Sequence, residues 1–126
     1  MGTWGNGPFD NDDASDWVYK LEDSGVSALR SALAVEDGYL KAPQAAEAVA
    51  AATVVGLASD LPVESTEEVS EWLGGADADE VRSFAGGAVV ALERVLEDSE
   101  LAELYDESGD EEWRQQVRAL HDGLRG

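Results

Sequence analysis

The sequence predicts an all-α fold, a compact single-domain bundle of about five to seven helices around an alanine-rich central helix. The chain has 126 residues, the size of one ordinary domain, so residues 1–126 are expected to form a single acidic helical domain. Apolar residues recur at helical spacing in several segments, each bounded by Gly, Pro or a capping side chain. No segment shows the sustained period-two alternation that is typical of strands.

The N-terminal region is predicted to begin with an ordered, glycine-rich lead-in over residues 1–9, anchored on the core by Trp4 and Phe9. A first helix follows over residues 11–23, with Asp10 as its N-cap. The apolar face of this helix is formed by four residues at helical spacing, namely Ala14, Trp17, Val18 and Leu21.

Two further helices are predicted before Pro62. The second helix spans about residues 26–37, because Gly25 separates it from the first and Gly38 is a good C-terminal stop. The third begins near Pro43 and ends near residue 59. This third segment is rich in alanine and apolar nearly all round, so we expect it to be the central, buried helix.

The C-terminal half is predicted to contain four more helices. A short one begins after Ser65 or Thr66, and a long one runs from Asp77 or Asp79 to about residue 96. We interpret the glycine pair at 86–87, inside the long helix, as a close crossing of two helices. The last two helices, separated by Gly109, carry the apolar residues Leu101, Leu104 and Tyr105, then Trp113, Val117, Leu120 and Leu124.

Charge is the dominant compositional feature. With 28 acidic against 8 basic residues, the formal net charge is −20. Such a chain is expected to be repelled by nucleic acid and by anionic membranes, since both are bound through Lys and Arg. Three interpretations of the acidity stay open: a solvated surface, a face for a basic protein partner, or mimicry of a nucleic-acid backbone. We recognise no targeting segment, and we expect a cytoplasmic protein that is a monomer or a weak homodimer.

No catalytic residue, metal site or cofactor is predicted. The chain has no cysteine, which excludes thiol nucleophiles and thiolate metal ligands. His121 is the single histidine, and we expect it to be solvent-exposed near a helix C-terminus. The acidic run from Asp10 to Asp16 departs from a calcium-binding loop at Ala14, Ser15 and Leu21, so helix capping explains it better.

The first 17 residues carry a recognisable signature: Gly2-x-x-Gly5 around Trp4, then Phe9-Asp10-Asn11-Asp12, Ala14 and Asp16-Trp17. This stretch resembles the opening of a bacterial family, the domain of unknown function 4259. The resemblance implies a bacterial, cytoplasmic protein, and it brings no activity, cofactor or catalytic residue with it. Taken residue by residue, the signature indicates an anchored lead-in, a helix cap and a buried Trp17.

Two functional hypotheses follow. The leading one is a non-enzymatic acidic interaction protein, such as an immunity-like or regulatory partner of a basic protein. The alternative is a small-ligand binder or hydrolase that uses a pocket at the N-terminal signature, lined by Trp4, Asn11, Asp12 and Trp17. A well-formed pocket at those four residues would favour the alternative.

Overall fold

A computed structural model describes residues 7–35 and 38–126, and within these ranges the chain is helical with no β-strand. The all-α prediction is therefore confirmed. The described residues form eight helices, one more than the upper end of the predicted number. They are α1 (Asp12–Ser24), α2 (Val26–Leu33), α3 (Ala42–Ala58), α4 (Glu67–Gly75), α5 (Ala78–Arg82), α6 (Ala85–Glu97), α7 (Glu100–Ser108) and α8 (Glu111–Arg125).

Helix α3 is the central element, as its composition predicts. It packs against α1, α2, α4, α5, α6, α7 and α8, and eleven of its residues between Ala45 and Gly56 are buried. Alanine makes this possible, because a helix with small side chains on every face lets neighbours approach from all directions. Leu92 and Val95 of α6 and Val117 of α8 close the core around it.

The close helix crossing lies at Gly56, and its prediction at Gly86 and Gly87 is wrong. A β-carbon at Gly56 would lie 2.7 Å from Leu120 Cδ1, so the Leu120 side chain of α8 packs directly on the Gly56 backbone and would have to shift for any larger residue. Gly86 and Gly87 are exposed, and a β-carbon at either would meet no atom within 4 Å. The two glycines instead lie in the first turn of α6, directly after a break in the predicted long helix.

That break divides the predicted long helix into α5 and α6. The Ser83 hydroxyl donates to the carbonyl of Glu80 at 2.5 Å, and the Phe84 amide donates to the carbonyl of Val81 at 3.1 Å. These bonds tighten the last turn of α5, and a glycine pair follows that resists helix formation. The break raises the number of helices above the predicted range.

The start of α1 differs by one residue from the prediction. Asn11, and not Asp10, is the N-cap, and its side-chain oxygen accepts a hydrogen bond from the Ala14 amide at 2.8 Å. Asp10 accepts one from the Gly7 amide at 3.1 Å instead. Trp17 is buried in the core as predicted, with 1% of its surface exposed. Of the lead-in, residues 1–6 lie outside the described residues.

Helix α2 ends earlier than predicted, at Leu33 and not at residue 37. The chain then returns to the core through Leu40, whose amide donates to the Asp98 carbonyl at 3.0 Å while its carbonyl accepts from the Glu100 amide at 2.8 Å. Non-local backbone bonds of this kind are invisible to helical periodicity, so the path of the chain after α2 could not be predicted from it. Of the region around Gly38, residues 36–37 lie outside the described residues.

The C-terminal pair of helices matches the prediction closely. Gly109, with φ 75°, ends α7, and the Asp110 carboxylate accepts from the Trp113 amide at 3.3 Å to begin α8. The Tyr105 and Trp113 rings stack with centroids 4.7 Å apart. Leu104 is the exception among the predicted apolar positions, since it is 40% exposed.

Candidate functional site

Four residues are predicted to line a pocket at the N-terminal signature. The three of them that the structure describes have different environments. Asn11 uses its side-chain oxygen to cap α1, and Asp12 is an exposed residue in the first turn of that helix. Trp17 packs in the core on the opposite face. Trp4 lies outside the described residues, so a pocket that uses all four stays a prediction.

A cleft that the sequence did not indicate opens between α3, the segment 62–64 and α8. Its volume is about 290 Å³. Four of its lining side chains, each no more than 4% exposed, form an apolar floor: Val49, Trp113, Val117 and Leu120. Small-molecule pockets span roughly 300–1,000 Å³. The cleft therefore has room for one or two side chains or for a small ligand.

The local sequence explains how the cleft forms. After α3 ends, Asp60 adopts a left-handed conformation with φ 63°, and the Leu61 amide donates to the Gly56 carbonyl at 3.0 Å. Pro62 has no amide hydrogen, so the chain leaves the helix as an extended segment. Leu61 then packs on Gly123 of α8, where a β-carbon would lie 2.9 Å from its Cδ1 atom. One wall of the cleft is held in this way against α8.

The rim of the cleft is acidic. Glu64 and Glu112 are exposed and line it from opposite walls. Asp10 lies beside Glu64, because a β-carbon at Gly7 would collide with Glu64 Oε2 and Asp10 Oδ2 alike. In the described part of the chain, no Lys or Arg forms an ion pair with any of these three carboxylates. Among the described residues, the mouth of the cleft thus carries negative charge that no basic side chain pairs with.

Asp10, one of these three carboxylates, also acts on the aromatic stack of Tyr105 and Trp113. The pKa of Tyr105 is raised above its usual value by burial, then by the charges of Asp110 and Asp10. Tyr105 stacks on Trp113, which forms part of the cleft floor. A group that enters the cleft therefore meets an apolar surface inside a negative potential.

His121 lies one turn after Val117 on α8, and it is less exposed than predicted. Its side chain is only 12% exposed, with Nε2 at 2.9 Å from Glu93 of α6 and Nδ1 at 3.0 Å from Asp122. Hydrogen bonds to Asp122 and then to Glu93 raise the pKa of His121 above its ordinary value. Within residues 7–35 and 38–126, no group of three or more His, Cys, Asp or Glu side chains could hold a metal ion. The His121 cluster is therefore a contact between α6 and α8.

An exposed tyrosine, Tyr39, is the third group whose pKa is raised. The Tyr39 hydroxyl donates to Glu103 Oε1 at 2.5 Å, and this bond is the main cause that raises the pKa of Tyr39 to about 12. A phenol that keeps its proton is a poor base at neutral pH. The contact joins the segment before α3 to α7.

Among the described residues, no helix is long and apolar enough to cross a membrane. The fold is thus an all-helical bundle with an acidic cleft. The chain belongs to the family described as Domain of unknown function (DUF4259), whose model matches residues 2–116. This finding confirms the family indicated by the N-terminal signature.

The matched segment ends inside α8, so part of the cleft floor, including Val117 and Leu120, lies beyond it. No curated protein matches the chain, and no solved structure matches it either. Sequence reasoning missed the cleft because its lining comes from segments far apart in the chain. The one local signal was Pro62 directly after the central helix, which marks a change of direction.

Proposed function

We propose that this protein is a non-enzymatic interaction protein, of an immunity-like or regulatory kind, that binds a basic protein partner in the cytoplasm as a monomer or weak homodimer. The single observation that carries the proposal is the imbalance between carboxylates and available bases. Acidic residues outnumber basic ones by 28 to 8. The interactions that the few basic side chains make within the chain support the proposal further.

Six of the eight bases are engaged within the chain. Four pair with acidic side chains, and two stack over aromatic rings. Arg94 and Arg114 also donate to backbone carbonyls, those of Gly38 at 2.7 Å and Leu96 at 3.2 Å. The engaged residues are Lys20, Arg30, Lys41, Arg82, Arg94 and Arg114. Most carboxylates are consequently left to face solvent or a partner.

Helix capping accounts for part of the acid content. First-turn acids in α1, α4, α5, α7 and α8 lie where the helix dipole favours negative charge. The helix dipole explains the presence of these first-turn acids, so they are not evidence for a binding partner. The acids on later turns have no such role, and a surface that repels nucleic acid and anionic lipid attracts basic proteins over the Debye length.

The proposal is tested by retention of partners on the immobilised full chain from a lysate of its native host, at low and at moderate salt. We expect basic proteins to be retained at low salt and released as salt rises, because screening weakens contacts between opposite charges. The control is a correctly folded variant in which exposed acids such as Glu22 and Glu71 are replaced by Gln, and it should retain less. If nothing is retained at low salt, or if both forms retain the same proteins, the proposal is wrong.

The second candidate function is binding of a small ligand near the N-terminal signature. One observation favours it, since Pro8 of the signature lines the 290 Å³ cleft. The signature residue Asp10 adds charge to the same mouth. Titration of cationic small molecules, followed through the Trp113 indole resonance, separates this candidate from a protein partner.

A further inference from the structure

The cleft described above combines three features on an acidic surface. Its floor is apolar and buried, its rim is negatively charged, and it is small. A purely electrostatic surface would need no apolar floor, because attraction between charges acts without close packing. The floor therefore points to an occupant that brings an apolar group along with its positive charge.

We infer that this cleft is the docking site for a basic segment of the protein partner, one in which an apolar side chain lies next to Lys or Arg. The inference rests on the proposed function and specifies where and how it is carried out. The apolar side chain would fill the floor over Trp113 and Leu120. The neighbouring cation would meet Glu64 on one wall or Glu112 on the other.

Charge complementarity selects this occupant. Glu64, Asp10 and Glu112 have no basic partner in the part of the chain that the structure describes. An acidic or neutral segment would leave them uncompensated and partly desolvated beneath it, which costs free energy. A cationic side chain removes that cost and places its aliphatic stem against the cleft wall, as Lys and Arg do at interfaces.

The size of the cleft limits the occupant as well. At about 290 Å³ it holds one anchor side chain with its neighbour, and not a helix laid along its full length. Interfaces commonly concentrate affinity in such a buried anchor surrounded by polar contacts. The remaining acidic surface then supplies orientation and a fast association rate.

The apolar anchor side chain and the overall acidic surface contribute separately to binding. Two labelled peptide probes distinguish these contributions. Both are Lys/Ser peptides of equal length and charge, and one carries adjacent Leu residues at its centre. Fluorescence polarisation with the full chain at low salt should show the Leu-containing peptide binding about tenfold more tightly, as expected for burial of one apolar side chain. The Trp113 indole resonance should shift only with that peptide.

Matched variants test whether the cleft is the surface that prefers the Leu-containing peptide. Ala119 is exposed and lines the cleft, so Ala119→Trp fills the cleft from its rim without entering the core. We expect it to abolish the tenfold preference, whereas Ala78→Trp on the exposed start of α5 keeps it. The pair Glu64→Gln and Glu112→Gln should weaken binding of the Leu-containing peptide more than the charge-matched pair Glu22→Gln and Glu71→Gln does.

The outcomes separate this inference from the proposed function. Equal affinities of the two peptides would mean that binding is purely electrostatic, which overturns the docking site and leaves the basic partner standing. A preference for the Leu-containing peptide that survives Ala119→Trp would place the anchor on another surface. Binding of neither peptide at low salt would overturn the proposed function itself.

Discussion

Truncation of Trp17 is the most direct test of the core. The side chain is 1% exposed and lies where α1 meets α2 and α3. A buried aromatic side chain removes roughly 150–250 Å² from water. At about 25 cal/mol per Å² this corresponds to an upper estimate of about 4–6 kcal/mol.

We therefore expect Trp17→Ala to lower the free energy of unfolding by about 3–5 kcal/mol, the range typical of large aromatic truncations in cores. For a domain of this length, about 3–5 °C of Tm accompanies each kcal/mol, so the Tm should fall by roughly 10–25 °C. Trp17 also lines a surface groove of about 220 Å³ with Ser27, from which water can reach the gap that the truncation leaves.

The assay is urea denaturation followed by far-UV circular dichroism, since removing a tryptophan alters fluorescence directly. The matched control is Tyr19→Ala on the same helix, where the side chain is 68% exposed. It should change the free energy of unfolding by less than about 0.5 kcal/mol. A loss below about 1 kcal/mol for Trp17→Ala would contradict the burial argument and return Trp17 to the candidates for ligand contact.

Two further predictions concern charge. Raising NaCl from about 0.01 M to about 1 M shortens the Debye length from about 30 Å to about 3 Å, so the Tm should rise as repulsion among the acids is screened; a flat or falling Tm would mean that the acids are already compensated. The other prediction concerns pH. The pKa of His121 is raised in the folded state, so its contacts with Glu93 and Asp122 stabilise the fold fully at pH values below the pKa of His121 in the unfolded chain. This stabilisation is lost as pH rises through the pKa of His121 in the folded protein. The Tm should consequently fall, as pH rises from below the ordinary histidine pKa of about 6.5 through the raised pKa of the folded state, by more than it does in His121→Gln, and identical pH profiles for the two proteins would argue against the contact.

Local signals in the sequence located most of the helices. Thr66 caps α4 as expected, with its hydroxyl accepting from the Val69 amide at 3.2 Å. Gly25 separates α1 from α2, and the apolar faces of α1 and α8 are buried at Trp17 and Trp113. These features depend on residues within one or two turns of each other, so periodicity and capping chemistry suffice to find them.

The candidate site could not be predicted in the same way. Its floor and rim join side chains from the segment before α1, the central helix, the segment after it and the last helix. None of these residues has an unusual local pattern, apart from Pro62. A cleft is a property of how helices pack, and sequence periodicity shows only which face of a helix is apolar.

The sequence alone determined the helical class, the central position of the alanine-rich helix, the net charge and the family. Tertiary structure decided between alternatives that are nearly equal locally: Asn11 over Asp10 as the cap, the break before Ala85, and Gly56 as the site of close approach. The choice between two neighbouring capping residues, or between glycine and another residue at an exposed helix position, changes the stability of a single helix by about 1 kcal/mol or less. Contacts with the rest of the bundle exceed such differences, and they are made between residues that only folding brings together.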